Sequence, residues 1–564
     1  MRMSTDESYD QELALETIAA AAEAGVTIFD TARAYGRGEA GLGDNERLLV
    51  RGLRRCGADA AARIVTKGGM TRAGGGWIPD GRAKAIRADC EASVAALDGI
   101  AIDLYLIHAP DPRTPWRTSV RALARLVDDG LVRRVGIANV NRRHLEEALE
   151  LAPVTAVQVA LSPFDDRAVR GGVVERCTEA GLAVIAHSPL GGPRRAGRLA
   201  RLEALAGVAE RRKATPAEVA LAWLLEVSPA VIAIPGARRP ETARSAARAA
   251  TLVLDSRDRT VLRRAFGRPR PARSVKPSAK SGDVTLIMGI PGAGKARLAQ
   301  EYLARGFVRL NRDERGGSLR QLTDVLDDEL ASGVRRVVLD NTYLSRATRS
   351  YVIEAASRHR LPARCIWLDT PLGQAQVNLV ERLLERFGSL PTPGELRVLA
   401  RRHPDVLAPI SQMRAVRELE PPSVDEGFSA VERIPFSRVT ASQSALAGVF
   451  VAAGALAGDW ERALEDGDRS APHLVFDWRT EGRVDELARA VSRLSAEVSG
   501  PVESALCPHP AGRPICWCRP PLPGLPLAFA RAHGVDTSRS VLIGTGPAHR
   551  TLATALGARY VAVR

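Results

Sequence analysis

The sequence predicts a multidomain α/β protein: a (β/α)8 barrel, then an α/β domain built on a phosphate loop, then a smaller segment with a compact Cys/His cluster. Three observations carry this reading. Short β-branched runs alternate with helical patterns through the first half, a strand–glycine-loop–helix pattern follows, and three of the seven cysteines crowd near the end. At 564 residues the chain has room for about three domains of ~100–200 residues each.

Composition bounds the class. With 45% apolar and 26% charged residues the chain reads as globular, which excludes a disordered tail, a collagen-like rod and a disulfide scaffold. Eighty basic against 65 acidic residues leave a formal charge of +15, spread along the whole length. That excess suits a phosphate-rich partner, but an Arg- and Ala-rich sequence produces it too, so it points only weakly to nucleic acid. The start, MRMSTDESYD, is polar and acidic and reads as no signal peptide, and no apolar run reaches the ~20 residues of a membrane span. Cys56, Cys90, Cys177 and Cys365 stand singly, as in a reducing compartment, so the expected location is cytoplasmic with no membrane partner.

Two breaks divide the chain. GRPRPARSVKPSAKSGD, residues 267–283, has linker composition, and SRVTASQSA, Ser437–Ala445, is a softer break. The domains expected are 1–266, 284–438 and 439–564.

In the first segment the runs VTIFD, ARIVTKGG, IDLYLIHA, VRRVGIAN, AVQVALS, LAVIAHSPL and AVIAIPGA read as parallel strands buried on both faces. An eighth strand should come first, yet only a few residues precede the helix DQELALETIAAAAEAG. Barrel enzymes place chemistry where strands end. Asp30, Lys67 and His108 end three successive runs, and Tyr35 follows Asp30 in the loop TARAYG. Any one alone is more often a satisfied structural group. Together they form a proton-donor set: an ammonium favours the phenolate, a carboxylate holds the ammonium, and an imidazole orients a carbonyl or relays a proton.

At FDTARAYG, VTKGG, LIHAPD, GIANVN, VQVALSP, AHSPLGG and IPGARRPE the segment resembles the aldo-keto reductase family. The resemblance implies that Tyr35 is the general acid for a small carbonyl substrate, tuned by Lys67 and Asp30, with His108 orienting that substrate. It implies NADP(H) across the strand ends, with Asn139 and Gln158 on the carboxamide, His187 where the family has an aromatic, Ser188 beside it, and Arg238 and Arg239 near the 2′-phosphate. Ala138 replaces the family's Ser before that Asn, and the customary Glu-Asn pair after the two arginines is missing.

In the second segment, DVTLIMGIPGAGKARLAQEYL places Gly289, Gly294 and Lys295 in G-x-x-x-x-G-K, with Gly292 inside the loop; its backbone N–H groups wrap phosphates at a helix start. Ala296 stands where a Ser or Thr should bind Mg²⁺. Asp313 follows an apolar stretch and Asp340 ends VVLD; both are read as cleft carboxylates, with simple capping as the bland alternative. GIPGAGK, NRDERG, LDNT, QAQVNLVERLLERFG and PPSVDEGFSAVERIPF make this segment resemble the kinase domain of polynucleotide kinases. That implies ATP with Mg²⁺, a DNA or RNA 5′-hydroxyl end as acceptor, Asp313 as general base, Asp340 on the substrate, and Arg382 or Arg386 over the transferring phosphate. A nucleotide-binding sensor and a kinase of small metabolites are the alternatives.

In the third segment, CPHPAGRPICWC offers Cys507, His509, Cys516 and Cys518, a closed tetrahedral set of the kind that holds structural Zn²⁺. With SRSVLIGTGPAHRTLATALGA it resembles the zinc-bearing histidinol- and heptose-phosphate phosphatases of the haloacid dehalogenase superfamily. That implies a haloacid-dehalogenase-like α/β fold, but one without its catalytic residues. Val451 and Ala453 occupy the two carboxylate positions of the nucleophile motif, Gly544-Thr545 replaces Gly-Asp, and His549 replaces a further Asp. The segment therefore reads as a pseudo-phosphatase, and eukaryotic end-healing enzymes also pair a kinase with this phosphatase class.

Overall fold

The computed structural model describes residues 3–5, 10–73, 76–266, 282–403, 405–437, 446–458, 460–465, 467–478, 484–510 and 515–563. The linker expected at 267–283 lies outside these except for its last two residues, and so does most of the break at 437–445. The chain divides into two compact units, Met1–Pro271 and Ala272–Arg564.

In the first unit all seven β-branched runs become strands: β1 (Ile28–Asp30), β2 (Arg63–Gly68), β5 (Ile102–Ile107), β6 (Val135–Ala138), β7 (Val154–Ala160), β8 (Ala183–His187) and β9 (Val231–Ile234). They form one parallel sheet in chain order, the barrel-like succession the alternation predicts. No eighth strand joins this sheet among the described residues. Met3–Thr5 instead make a 3₁₀ turn, with Met3 buried and its N–H bonded to Asn45 Oδ1 at 3.2 Å. β1 and β9 are unpaired with each other, and the unit closes outside the sheet. There the helix Gln11–Glu23, capped by Asp10, packs on the helix Pro240–Arg248, with Arg244 and Glu23 3.3 Å apart. A hairpin the sequence did not suggest, β3 (Met70–Ala73) and β4 (Gly76–Pro79), follows β2 directly.

The second unit holds two parallel five-stranded sheets. The first comprises β10 (Asp283–Met288), β11 (Val308–Leu310), β12 (Arg336–Asp340), β13 (Ala363–Asp369) and β14 (Ala430–Pro435), ordered β11-β12-β10-β13-β14. β10 thus begins at Asp283, inside the expected linker. The second comprises β15 (Val449–Ala452), β16 (His473–Trp478), β17 (Val502–Cys507), β18 (Val541–Gly544) and β19 (Arg559–Ala562), ordered β17-β16-β15-β18-β19. Both are doubly wound, and such sheets put ligand crevices at the carboxyl ends of the central strands.

The two sheets are not separate bodies. A roof helix, Leu372–Phe387, follows β13 and is amphipathic on two sides. Ala375 faces the first core, whereas Val377, Val380, Leu383 and Leu384 share a core with Phe450, Leu552 and Leu556 of the second. At about 1.5–3 kcal/mol for each fully buried Val or Leu, this shared core makes detachment expensive and explains why three sequence segments give two units. No helix among the described residues is long and apolar enough to cross a membrane.

Candidate functional site

Asp30 closes β1, Lys67 lies in β2 and His108 follows β5, three neighbouring strands whose ends meet. Lys67 is fully buried; its Nζ donates to both Asp30 carboxylate oxygens at 2.7 Å and to the Thr31 carbonyl at 2.6 Å. Gln158 Nε2 donates to Asp30 Oδ1 at 2.7 Å. Burial works to lower the Lys67 pKa, but the Asp30 charge and then Tyr35 outweigh it, so the ammonium pKa is raised. Burial likewise works to raise the Asp30 pKa, and the Lys67 charge leaves it lowered. Both partners agree: the pair stays ionised.

Lys67 Nζ sits 5.1 Å from the centre of the half-buried Tyr35 ring. The Tyr35 and His108 rings meet edge to face, centroids 5.6 Å apart. Trp77, carried by the hairpin, completes the box at 5.9 Å from Tyr35 and 6.0 Å from His108. Trp77 is not among the residues expected from the sequence; its signal is the aromatic in GGGWIPD, ten residues after the strand-end lysine. The structure therefore brings Asp30, Tyr35, Lys67 and His108 to one place and adds an aromatic wall.

Further along the strand ends, Asn139 and Ser188 hold left-handed backbone, φ 56° and 52°, which turns both side chains across the sheet. Asn139 Nδ2 donates to the His108 carbonyl at 2.9 Å, its Oδ1 lies 3.0 Å from His187 Nε2, and His187 Nδ1 lies 3.3 Å from Ser188 Oγ. The carboxamide contacts expected of Asn139 and Gln158 are thus partly taken up internally, Gln158 serving Asp30. Arg238 and Arg239 are exposed where the helix Pro240–Arg248 begins. Asn139, His187, Ser188, Arg238 and Arg239 are the residues along these strand ends that could hold a cofactor.

In the second unit the loop after β10 leads into the helix Lys295–Ala304 with Gly294 as its cap. Gly292 has φ +86°, and a Cβ there would fall 2.3 Å from the Ala375 carbonyl of the roof helix, so only glycine fits. Lys295 Nζ donates to the Gly289 and Ile290 carbonyls at 2.8 and 3.0 Å, and burial pushes its pKa down to about 8. A cleft of about 910 Å³ joins this loop and Ala296 to Asp313, Asp340 and Arg382. Arg386 is turned away to Asp405 at 2.9 Å, which leaves Arg382 as the roof-helix arginine that faces the loop.

Asp340 lines the cleft with its carboxylate engaged: Arg309 grips it bidentately at 2.9 and 2.6 Å, and Asn311 Nδ2 donates to it at 3.0 Å. Asp313, half-exposed beyond Asn311, lines the same cleft and lies 3.1 Å from the Arg312 guanidinium.

Cys507, His509, Cys516 and Cys518 place their ligand atoms within 4.8 Å of one another. Cys507 Sγ lies 3.6 Å from Cys516 Sγ and 3.3 Å from Cys518 Sγ, and His509 Nδ1 lies 3.5 and 3.2 Å from Cys507 and Cys518. These spacings are far too long for a disulfide, and a zinc tetrahedron with ~2.3 Å metal–sulfur bonds has edges of about 3.8 Å. The donor set therefore fits zinc. At the end of β15, Val451 and Ala453 offer no carboxylate, and His549 Nδ1 accepts from the Thr545 N–H at 3.2 Å.

Comparison with known proteins matches these parts. A model described as an AAA domain matches residues 284–399, and one described as the aldo/keto reductase family matches residues 1–265. Aldo-keto reductase str7 of Strobilurus tenacellus is 30% identical over 249 residues, covering 39% of this chain and 71% of that protein. A Glycine max protein named Probable aldo-keto reductase 1 is 31% identical over 242 residues, 38% of this chain and 67% of that one. The crystal structure of a thermostable aldo-keto reductase, Tm1743, with the inhibitor epalrestat is 30% identical, covers 46% of this chain and 89% of that chain, and superposes with a TM-score of 0.39. The middle of the chain carries a phosphate loop within a segment similar to the AAA domain model, and through residues 1–265 the chain belongs to the aldo/keto reductase family.

Proposed function

We propose that the first unit reduces a small aldehyde or ketone with NADPH. The observation that carries this is the buried Asp30–Lys67 pair lying under the Tyr35 ring with His108 at its edge. NADPH, when bound, supplies a hydride to the carbonyl carbon. Tyr35 donates its phenolic proton to the carbonyl oxygen, and Lys67, held charged by Asp30, stabilises the phenolate left behind. His108 and Trp77 fix the carbonyl against the phenol, and Asn139, His187, Ser188, Arg238 and Arg239 would hold the dinucleotide. Aldehyde-dependent loss of NADPH absorbance tests this; no turnover over a broad aldehyde and ketone panel would remove it.

For the second unit the reading is ATP-dependent phosphorylation of a 5′-hydroxyl nucleic-acid end. It is supported by the phosphate loop beside Asp313 and Arg382 in one cleft, and by the motif resemblance. Here Asp313 would accept the hydroxyl proton, Lys295 and Arg382 would meet the phosphates, and Mg²⁺ would supply neutralising charge for the transfer. A specific observation favours a second reading, nucleotide binding with little turnover: Ala296 brings no hydroxyl, and Asp340 is occupied by Arg309. Transfer of labelled γ-phosphate to DNA and RNA oligonucleotides, with Asp313→Ala beside wild type, separates the two. The C-terminal sheet is read as a phosphatase relative without its nucleophile, retained with a structural zinc, in a cytoplasmic protein.

A further inference from the structure

The Cys/His cluster touches the roof of the nucleotide cleft. Leu390, in the turn between the roof helix and the helix Pro393–Arg402, packs against Cys507, Cys516 and Cys518. The fit is close: a Cβ on Gly524 would lie 2.9 Å from Leu390 Cδ1. Trp517, flanked by two of the cysteines, is fully buried, and its Nε1 donates to the Leu407 carbonyl at 3.0 Å. Two contacts from one loop thus hold both ends of the segment 390–407.

The roof helix meets the phosphate loop on its other side. Asn378 Nδ2 donates to the Gly292 carbonyl at 2.8 Å, and the Ala375 carbonyl fills the space a Gly292 side chain would need. Gln374, Asn378 and Arg382 face the cleft, and Asp536–Ser538 of the C-terminal sheet complete its far wall. A contiguous series of packed groups therefore runs from the four ligands through Leu390 to the residues over the nucleotide phosphates.

We propose that metal held by Cys507, His509, Cys516 and Cys518 braces the nucleotide cleft, fixing Leu390 and Leu407 so that the roof helix stays seated on the phosphate loop. This gives the C-terminal domain a function that needs no phosphatase chemistry, and it rests on the zinc and nucleotide readings above. Without the cation nothing ties Cys507 and His509 to Cys516 and Cys518, and the contacts of Cys516–Cys518 with Leu390 and Leu407 loosen.

The test uses the full chain with zinc bound and after chelation, titrated with a fluorescent ATP analogue. Chelation should weaken nucleotide binding by about 5–150-fold, the usual span of coupling between sites, while aldehyde reduction by the first unit continues as a control for intact protein. Linkage is reciprocal, so ATP should tighten zinc retention by the same factor in a chelator competition. Leu390→Ala keeps all four ligands; it should bind zinc normally yet bind nucleotide equally with and without it. Identical nucleotide affinity in the zinc-bound and stripped wild type would overturn the proposal, as would full coupling in Leu390→Ala. A protein that takes up no zinc at all yet binds nucleotide overturns it through the metal reading, and a zinc-bound protein that binds no nucleotide overturns it through the nucleotide reading.

Discussion

A buried ammonium is stable only because of what surrounds it, and Lys67 has a bidentate carboxylate, a backbone carbonyl and a phenol ring. Asp30→Asn leaves that charge without its counter-ion and should cost about 3–5 kcal/mol, read as a lowered unfolding midpoint. The pH signs follow from the two shifts. The Asp30 pKa is lowered, so its stabilisation is present above the unfolded value near 3.9 and is lost as pH falls through the folded value. The Lys67 pKa is raised, so its stabilisation persists below the unfolded value near 10.4 and is lost as pH rises through the folded one. The pair should therefore add no slope to stability between about pH 5 and 9. Lys295 behaves oppositely. With its pKa pushed down to about 8 by burial, nucleotide affinity of the free protein should fall by up to about tenfold per unit as pH rises above that value, and Lys295→Arg should flatten the profile. Titrations of the ATP analogue across pH check this.

At the level of elements, the seven strands of the first sheet were legible because each is a short apolar run, and those of the candidate site are closed by a polar residue, Asp30 after TIF and His108 after LYLI. The hairpin carrying Trp77 was not, because its four-residue strands flank a glycine run, GGG at 74–76, and show no periodicity. Nor was the capture of Asp340 legible. Arg309 and Asn311 lie on β11 and just beyond it, about thirty residues earlier, and cross-strand partners leave no mark in local spacing. The turn at Met3–Thr5 replaces the expected first strand, since three residues tied to Asn45 and the Tyr35 carbonyl form no ladder. The loop itself was legible, down to Ala296. If the missing hydroxyl limits metal placement, Ala296→Ser should raise phosphate transfer by roughly tenfold or more, measured as labelled 5′ ends at fixed ATP and Mg²⁺.

For the whole molecule, the sequence divides into three compositional segments and the structure into two units, and the roof helix accounts for the difference. LGQAQVNLVERLLERF reads as one amphipathic helix, but its apolar residues serve two cores, which a single periodicity cannot reveal. Removing residues 439–564 should expose Val377, Val380, Leu383 and Leu384 together; the expected outcome is aggregation of the phosphate-loop domain with the reductase unit still folded, read by light scattering beside aldehyde turnover. The central claim is that the first unit is a carbonyl reductase whose acid is Tyr35. The measurement that tests it most directly is aldehyde-dependent NADPH oxidation by wild type and Tyr35→Phe, with NADPH binding followed in both by fluorescence. A loss of about 10²–10⁴-fold in turnover with binding retained is the predicted result. Equal turnover by the two proteins would contradict it, because the hydroxyl is the only group the substitution removes.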